Sequence, residues 1–173
     1  ASIVVGQNGV FRLILEQVPT GFRHLDLTIS LSSTDFAGLR GARGVSIGHP
    51  FFEILAETDS MIRFRILDEL DQIRPDYENV VLAEIEYVGL SPGRVQRQLQ
   101  VHSFVSDQPE NDTFVLEIGG TIDSHLPIIG KSTDPPLDID QDGLFEDING
   151  DGSLTPLDLE LFAKNLQSQA VQG

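Results

Sequence analysis

The sequence predicts a mainly β protein: an antiparallel β-sandwich followed by a small acidic loop-and-helix module at the C-terminus. Three observations predict it. Residues 2–123 hold short apolar runs, some strictly alternating, separated by turns rich in Gly and Pro. Runs of that kind at that spacing point to an antiparallel sandwich. The stretch "DIDQDGLFEDINGDG" (138–152) then places five Asp and one Glu together with no Lys or Arg. A capped helical pattern, "TPLDLELFAKNLQSQA" (155–170), follows it directly.

"VFRLILEQV" (10–18) is rich in β-branched and large apolar residues and stops at Pro19-Thr20-Gly21. "HLDLTISLS" (24–32) sends Leu25, Leu27, Ile29 and Leu31 one way and Asp26, Thr28 and Ser30 the other, the period of a half-buried strand. "FFEILAE" (51–57) and "MIRFRIL" (61–67) flank "TDS" as a hairpin. "VVLAEIEYV" (80–88) breaks at "GLSPG"; "RVQRQLQVHSFV" (94–105) and "TFVLEIGGTI" (113–122) complete the set. Residues 33–50 are less regular and read as a short helical turn or a crossover loop, and 68–79 as a polar loop. "GKSTDPP" is a linker by composition. Its paired prolines favour an extended, semi-rigid path of roughly 20 Å. The boundaries expected are a β-sandwich over 1–129, a linker over 130–137 and the acidic module over 138–173.

Charge narrows the partners. The chain carries 27 acids against 11 bases, a net of −16. Phosphate recognition needs a basic face, so nucleic acid and anionic membrane surfaces fit poorly, whereas cations and basic protein surfaces fit well. Residues 1–131 hold 18 acids and 10 bases, and residues 132–173 hold nine acids and one base, so each part has a net charge of −8. The last quarter thus carries half the charge. There is no Cys, which excludes disulfides and thiolate chemistry. No apolar run reaches the ~18 residues of a membrane span. No signal peptide is present, and a start at Ala1 is what a processed mature chain could show, among other possible starts. The sequon Asn111-Asp112-Thr113 lies in a polar stretch and makes Asn111 a glycosylation candidate in that setting.

Ca²⁺ takes six to eight hard oxygen ligands, and an EF-type loop supplies them from positions 1, 3, 5, 7, 9 and 12 with Gly at 6. Counting from Asp147, these are Asn149, Asp151, the Ser153 carbonyl, Thr155 and Asp158, with Gly152 at six and Leu154 as an apolar plug toward the helix. Counting from Asp138, they are Asp140, Asp142 and the Leu144 carbonyl, with Gly143 at six. Position 12 of that first loop is already claimed by the second. Asp147 is the expected closing ligand, shared or neighbouring both ions, and Glu146 is its competitor. The expectation is one or two Ca²⁺ ions. Without metal the crowded carboxylates hold the tail open; with metal they fold it. A disordered acidic tail is the opposing reading, and the placement of Gly in both loops and the capped helix argue against it.

In that helix Thr155 is the expected N-cap, Pro156 the first helical residue and Asp158 the third. At 100° per residue Leu159, Phe162, Ala163, Leu166 and Ala170 form one stripe, with Leu157 and Leu161 nearly opposite. One stripe can pack on its own loop (Ile148, Leu154); the other needs a second surface. Leu157, Leu159, Leu161, Phe162 and Leu166 are therefore the partner-binding candidates. The surface is either this chain's own β domain or another molecule.

"DINGDGSLTPLDLELFAKNL" resembles one calcium-loop-plus-helix repeat of a dockerin, and "DPPLDIDQDGLFED" resembles the lead-in found on many surface proteins, archaeal ones especially. A full dockerin has two loop–helix repeats; here the first loop runs into the second with no helix between. The front domain is similar to cohesins, the sandwich domains that bind dockerins, in "VPTGFRHLDLTISLS", "VVLAEIEYVGLSPG" and a late strand ending in "GGTI". The resemblance implies a jelly-roll, cohesin-like sandwich, Ca²⁺-dependent adhesion and a place outside the cell or on its surface. A receptor-like domain and a ligand-like module on one chain imply docking on the next copy, and a head-to-tail contact that does not close makes a filament. The alternatives are a heterotypic anchor in a surface complex and a carbohydrate-binding adhesin. Carbohydrate-binding sandwiches usually present aromatic platforms, yet Trp is absent and Tyr numbers two.

Enzyme readings are weaker. "GVSIG" (44–48) matches G-x-S-x-G at Ser46, but that motif needs a strand–turn–helix in a parallel sheet. Nearby His49 does not make a triad, which is defined by geometry. His24, His49, His102 and His125 show no zinc spacing. Glu84 and Glu86 share a strand face and read as its solvated side rather than a glycosidase pair. The expectation is a non-catalytic protein.

Overall fold

A computed structural model of the chain describes residues 2–17, 22–45, 51–69, 73, 78–107 and 115–166. Among the described residues, ten strands and one helix follow in chain order: β1 (Ser2–Val4), β2 (Asn8–Gln17), β3 (Phe22–Leu31), β4 (Ala37–Gly44), β5 (Phe51–Glu57), β6 (Met61–Leu67), β7 (Glu78–Gly89), β8 (Gly93–Ser106), β9 (Leu116–Glu117), β10 (Thr121–His125) and α1 (Pro156–Lys164). Two sheets form, in the orders β1-β10-β8-β3-β6-β5 and β4-β7-β2-β9. All pairings within them are antiparallel except β1 with β10.

Alternation in the sequence becomes layering in the structure. Leu25, Leu27 and Ile29 of β3 and Ile62 and Phe64 of β6 are fully buried, as are Leu13 and Leu15 of β2 and Leu82 and Ile85 of β7. They belong to one core between the sheets, where removal of apolar area from water drives the two layers together.

The irregular segment 33–50 proves to contain β4, which pairs with β7 along its length. Its three glycines hide the strand pattern, and Gly44 has a packing reason. A Cβ there would lie 2.7 Å from Phe52, so only Gly lets β4 pass this close to β5. The expected single strand 113–122 is instead β9 and β10, parted at Gly119-Gly120 where the chain leaves one sheet for the other.

Charged pairs span neighbouring strands on the outer faces. Arg63 Nε and Nη2 donate to the two oxygens of Asp26 at 3.0 and 2.9 Å. Glu84 is buried rather than solvated, because Arg12 donates to it from β2 at 3.1 Å and Arg43 from β4 at 2.6 Å. Glu86 remains exposed. Hydrogen bonds from Arg63 hold the Asp26 carboxyl below its ordinary range against the cost of burial. Hydrogen bonds from Arg43 and then Arg12 do the same for Glu84.

After β10 the chain builds a second, smaller cluster from Ile129 and Ile148, with Leu161 of α1 packed on it. The linker does not stand clear. Pro136 is buried, and the Pro135 carbonyl comes so close to Gly150 that a Cβ there would sit 2.4 Å from it. Leu137 and Asp147 exchange two backbone hydrogen bonds of 3.0 and 3.3 Å. The helix begins as expected, with Thr155 as N-cap and Pro156 in its first turn. Asp158 reaches back to accept from the Thr155 N–H at 2.8 Å and its hydroxyl at 2.9 Å. The helix is shorter than expected. Asn165 ends it by donating its N–H to Leu161 and Phe162 and its side-chain amide to Leu161; residues 167–170 lie outside the described ones.

Two outcomes follow. Carboxyls held below their ordinary range stabilise the fold fully above that range, and the stabilisation is lost as pH falls through the depressed values. The urea midpoint therefore drops on acidification below about pH 4, and Asp26→Asn flattens that slope. Asp158→Ala removes the cap contacts and costs about 1–2 kcal/mol of helix stability, read as lost helical circular dichroism in chelated protein.

Candidate metal centre

The two acidic loops are one backbone device used twice, nine residues apart. Asp138 Oδ1 accepts the N–H groups of Gln141 (2.7 Å) and Asp142 (3.2 Å), and Oδ2 that of Gly143 (2.9 Å). Asp147 Oδ1 accepts those of Gly150 (2.9 Å) and Asp151 (3.2 Å), and Oδ2 that of Gly152 (2.7 Å). The third residue of each loop accepts from the fifth, and the fifth from the seventh. Positions four and six have positive φ in both loops: Gln141 (63°) and Gly143 (95°), Gly150 (71°) and Gly152 (83°). The sixth position is where an EF-type turn calls for Gly.

The loops differ in how they close. One ligand oxygen from each of Asp138, Asp140, Asp142 and Glu146 lies within 4.8 Å of the others, close enough to hold a metal ion between them. The fourth member of this group is Glu146, the competitor to Asp147 in the sequence reading. Both Asp147 oxygens are occupied by N–H groups of its own loop, and its backbone is tied to Leu137. Asp147 is completely buried. The second loop is closed by Asp158, which accepts the Asn149 N–H at 3.2 Å across the loop. Burial alone pushes the Asp158 carboxyl up most strongly, but bonds from Thr155, Asn149 and Ile148 together outweigh it and hold the carboxyl below its usual range.

All the side-chain donors in both loops are hard oxygens, the set preferred by Ca²⁺ and Mg²⁺ over softer metals. Among the described residues, none of the six carboxylates in 138–152 forms an ion pair. Among the described residues the five Asp carboxylates accept backbone N–H groups, and Asp151 also accepts the Asn149 amide at 2.9 Å. Leu144 is exposed, and Ser153 and Thr155 sit at the loop–helix junction.

The helix turns Asp158, Leu161 and Asn165 inward. Leu159 is 70% exposed, Phe162 39%, Leu157 50% and Leu166 52%. Leu154 is no plug: it is 70% exposed, and Ile148 supplies the apolar contact instead. Asn111, Ser46 and His49 lie outside the described residues.

No family model matches the sequence, and no curated protein matches it. Solved structures do. The sixth cohesin of scaffoldin B from Acetivibrio cellulolyticus, solved with a mutant Cel5 dockerin, aligns at TM-score 0.55 and 14% identity over 72% of this chain and 93% of that one. The seventh ScaB type I cohesin from Pseudobacteroides cellulosolvens aligns at 0.54 and 17% over 73% and 90%. A type I cohesin–dockerin complex from Clostridium thermocellum contributes a chain that aligns at 0.53 and 14% over 72% and 89%. At these identities the likeness is one of fold: the β-sandwich is built as a cohesin is.

Proposed function

We propose that the protein is a non-catalytic structural or adhesion module of the cell surface or extracellular space. Its C-terminal loop–helix module binds Ca²⁺ and docks on the cohesin-like sandwich of another copy, head to tail, to build a filament. The observation that carries this reading is the two-faced helix. Leu161 is engaged by Ile129 and Ile148, while Leu159 and Phe162 stay open to solvent. Large apolar side chains held outward on an ordered helix are the usual mark of a protein-binding face.

Two ions are proposed. The first takes Asp138, Asp140, Asp142, the Leu144 carbonyl and Glu146. The second takes Asp147, Asn149, Asp151, the Ser153 carbonyl, Thr155 and Asp158. The Asp138 and Asp147 carboxylates are aimed by N–H groups of their own loops and keep lone pairs for a metal. The front domain is assigned to 1–129 and the docking module to 138–173, with Asn111 a glycan acceptor. The relatives of like fold in the solved complexes are bound to separate dockerins, which keeps a heterotypic anchor as the second reading.

Sedimentation velocity tests the proposal. In Ca²⁺ the full chain forms concentration-dependent oligomers that EGTA reverses; a monomer at every concentration in both buffers contradicts self-assembly, and a new species only with extracellular extract selects the anchor. Phe162→Glu weakens association by at least about 2 kcal/mol, roughly thirtyfold, without changing the Ca²⁺-induced rise in melting temperature. Asp140→Asn, at an exposed ligand of the first ion, lowers that ion's affinity by at least roughly tenfold, measured by calorimetric titration.

A further inference from the structure

β8 directs Val95, Leu99 and Val101 toward the core, and Arg97 takes the inward position among them. Its guanidinium carbon stands 4.6 Å from the centre of the Phe11 ring. Nη2 donates to the Thr121 carbonyl at 3.3 Å, and Nε is buried with no hydrogen-bond partner. The other arginines of the described strands, Arg12, Arg23, Arg40, Arg43, Arg63, Arg65 and Arg94, each pair with a carboxylate. Among the described residues Arg97 alone does not. Desolvation disfavours its charged form, and a desolvated cation without a counter-ion is costly to keep.

Arg97 lines a cavity of about 520 Å³ with Phe11, Ile14, Ile118 and Gly119. Gly119 has a positive φ of 71°, the region that favours Gly, and lies close beside Nη2. Arg12, Arg43, Glu84 and Glu117 complete the charged lining, three cations against two anions in a chain of net charge −16. Arg12 and Arg43 are already committed to Glu84. The remaining charged groups are Arg97 and Glu117, and the other walls are Val10, Phe11, Ile14, Ile118 and Gly119. The cavity also adjoins a sheet edge. β9 pairs with β2 only at Ile14 and Leu15, so the preceding part of β2 has no strand partner on that side among the described residues.

We propose that this cavity is a carboxylate-binding site in which Arg97 receives the acid and Phe11, Ile14 and Ile118 cover the ligand's apolar part. The uncovered β2 edge offers backbone groups to an extended peptide, so the carboxylate is borne on a polypeptide strand rather than on a free acid.

The test is NMR and calorimetric titration of the full chain in Ca²⁺ with three probes. They are a blocked five-residue peptide alternating Val and Glu, the same peptide with Gln for Glu, and glutarate. The site predicts that the Glu peptide shifts the Arg97 Nε resonance and the Phe11 and Gly119 amides, and that the Gln peptide binds at least roughly tenfold more weakly. Arg97→Met removes the preference for Glu over Gln. Glutarate binding at Arg97 as tightly as the Glu peptide keeps the site but assigns it to free acids. Equal binding of the Glu and Gln peptides to the unmodified chain, or no response at Arg97 to any probe, overturns the proposal without recourse to the variant.

Discussion

The buried carboxylate of Asp147 joins three segments of the chain. Its oxygens gather three N–H groups and set the turn of the second loop. Its backbone bridges to Leu137 and draws the linker alongside. Its neighbour Ile148 then meets Ile129 and Leu161. The orientation of the helix follows from that contact. Once Leu161 faces inward, the 100° step of an α-helix sends Leu159 and Phe162 outward. The exposed apolar face is thus a consequence of how an acidic loop satisfies its own backbone.

Electrostatics are handled differently in the two parts of the molecule. On the sandwich, carboxylates and guanidinium groups pair across strands, as Asp26 does with Arg63 and Glu84 with Arg12 and Arg43. In the module, six carboxylates share 138–152 with no cationic side chain. Backbone N–H groups offset part of that charge through partial dipoles, whereas a divalent cation would neutralise it directly. The module's composition thus leaves its carboxylates without cationic partners, whereas that of the sandwich supplies them.

Much of this was legible in the sequence. The sandwich followed from alternation in β3, β6 and β7, where apolar burial and the period-two pattern coincide. The loops followed from Asp and Gly at fixed spacing. Elsewhere the pattern was hidden for physical reasons. β4 is masked by three glycines, one of which, Gly44, is crowded by Phe52. That a Glu146 oxygen comes within 4.8 Å of those of Asp138, Asp140 and Asp142 depends on the path of the chain after Gly143, and spacing does not show that. Glu84 looked solvated because its two arginine partners come from strands 72 and 41 residues away. Arg97 carried a readable signal, a cation in the apolar phase of "VQRQLQV", but its unpaired state appears only when the partners of the other arginines are known.

The proposed assembly is a Ca²⁺-dependent docking of the helix on a second copy's sandwich. Electron microscopy of the full chain at high concentration, in Ca²⁺ and again after chelation, tests it most directly. Filaments that repeat at about one sandwich length and disappear on chelation are the predicted result. Dispersed single particles in both conditions, or filaments that persist unchanged after chelation, would contradict it.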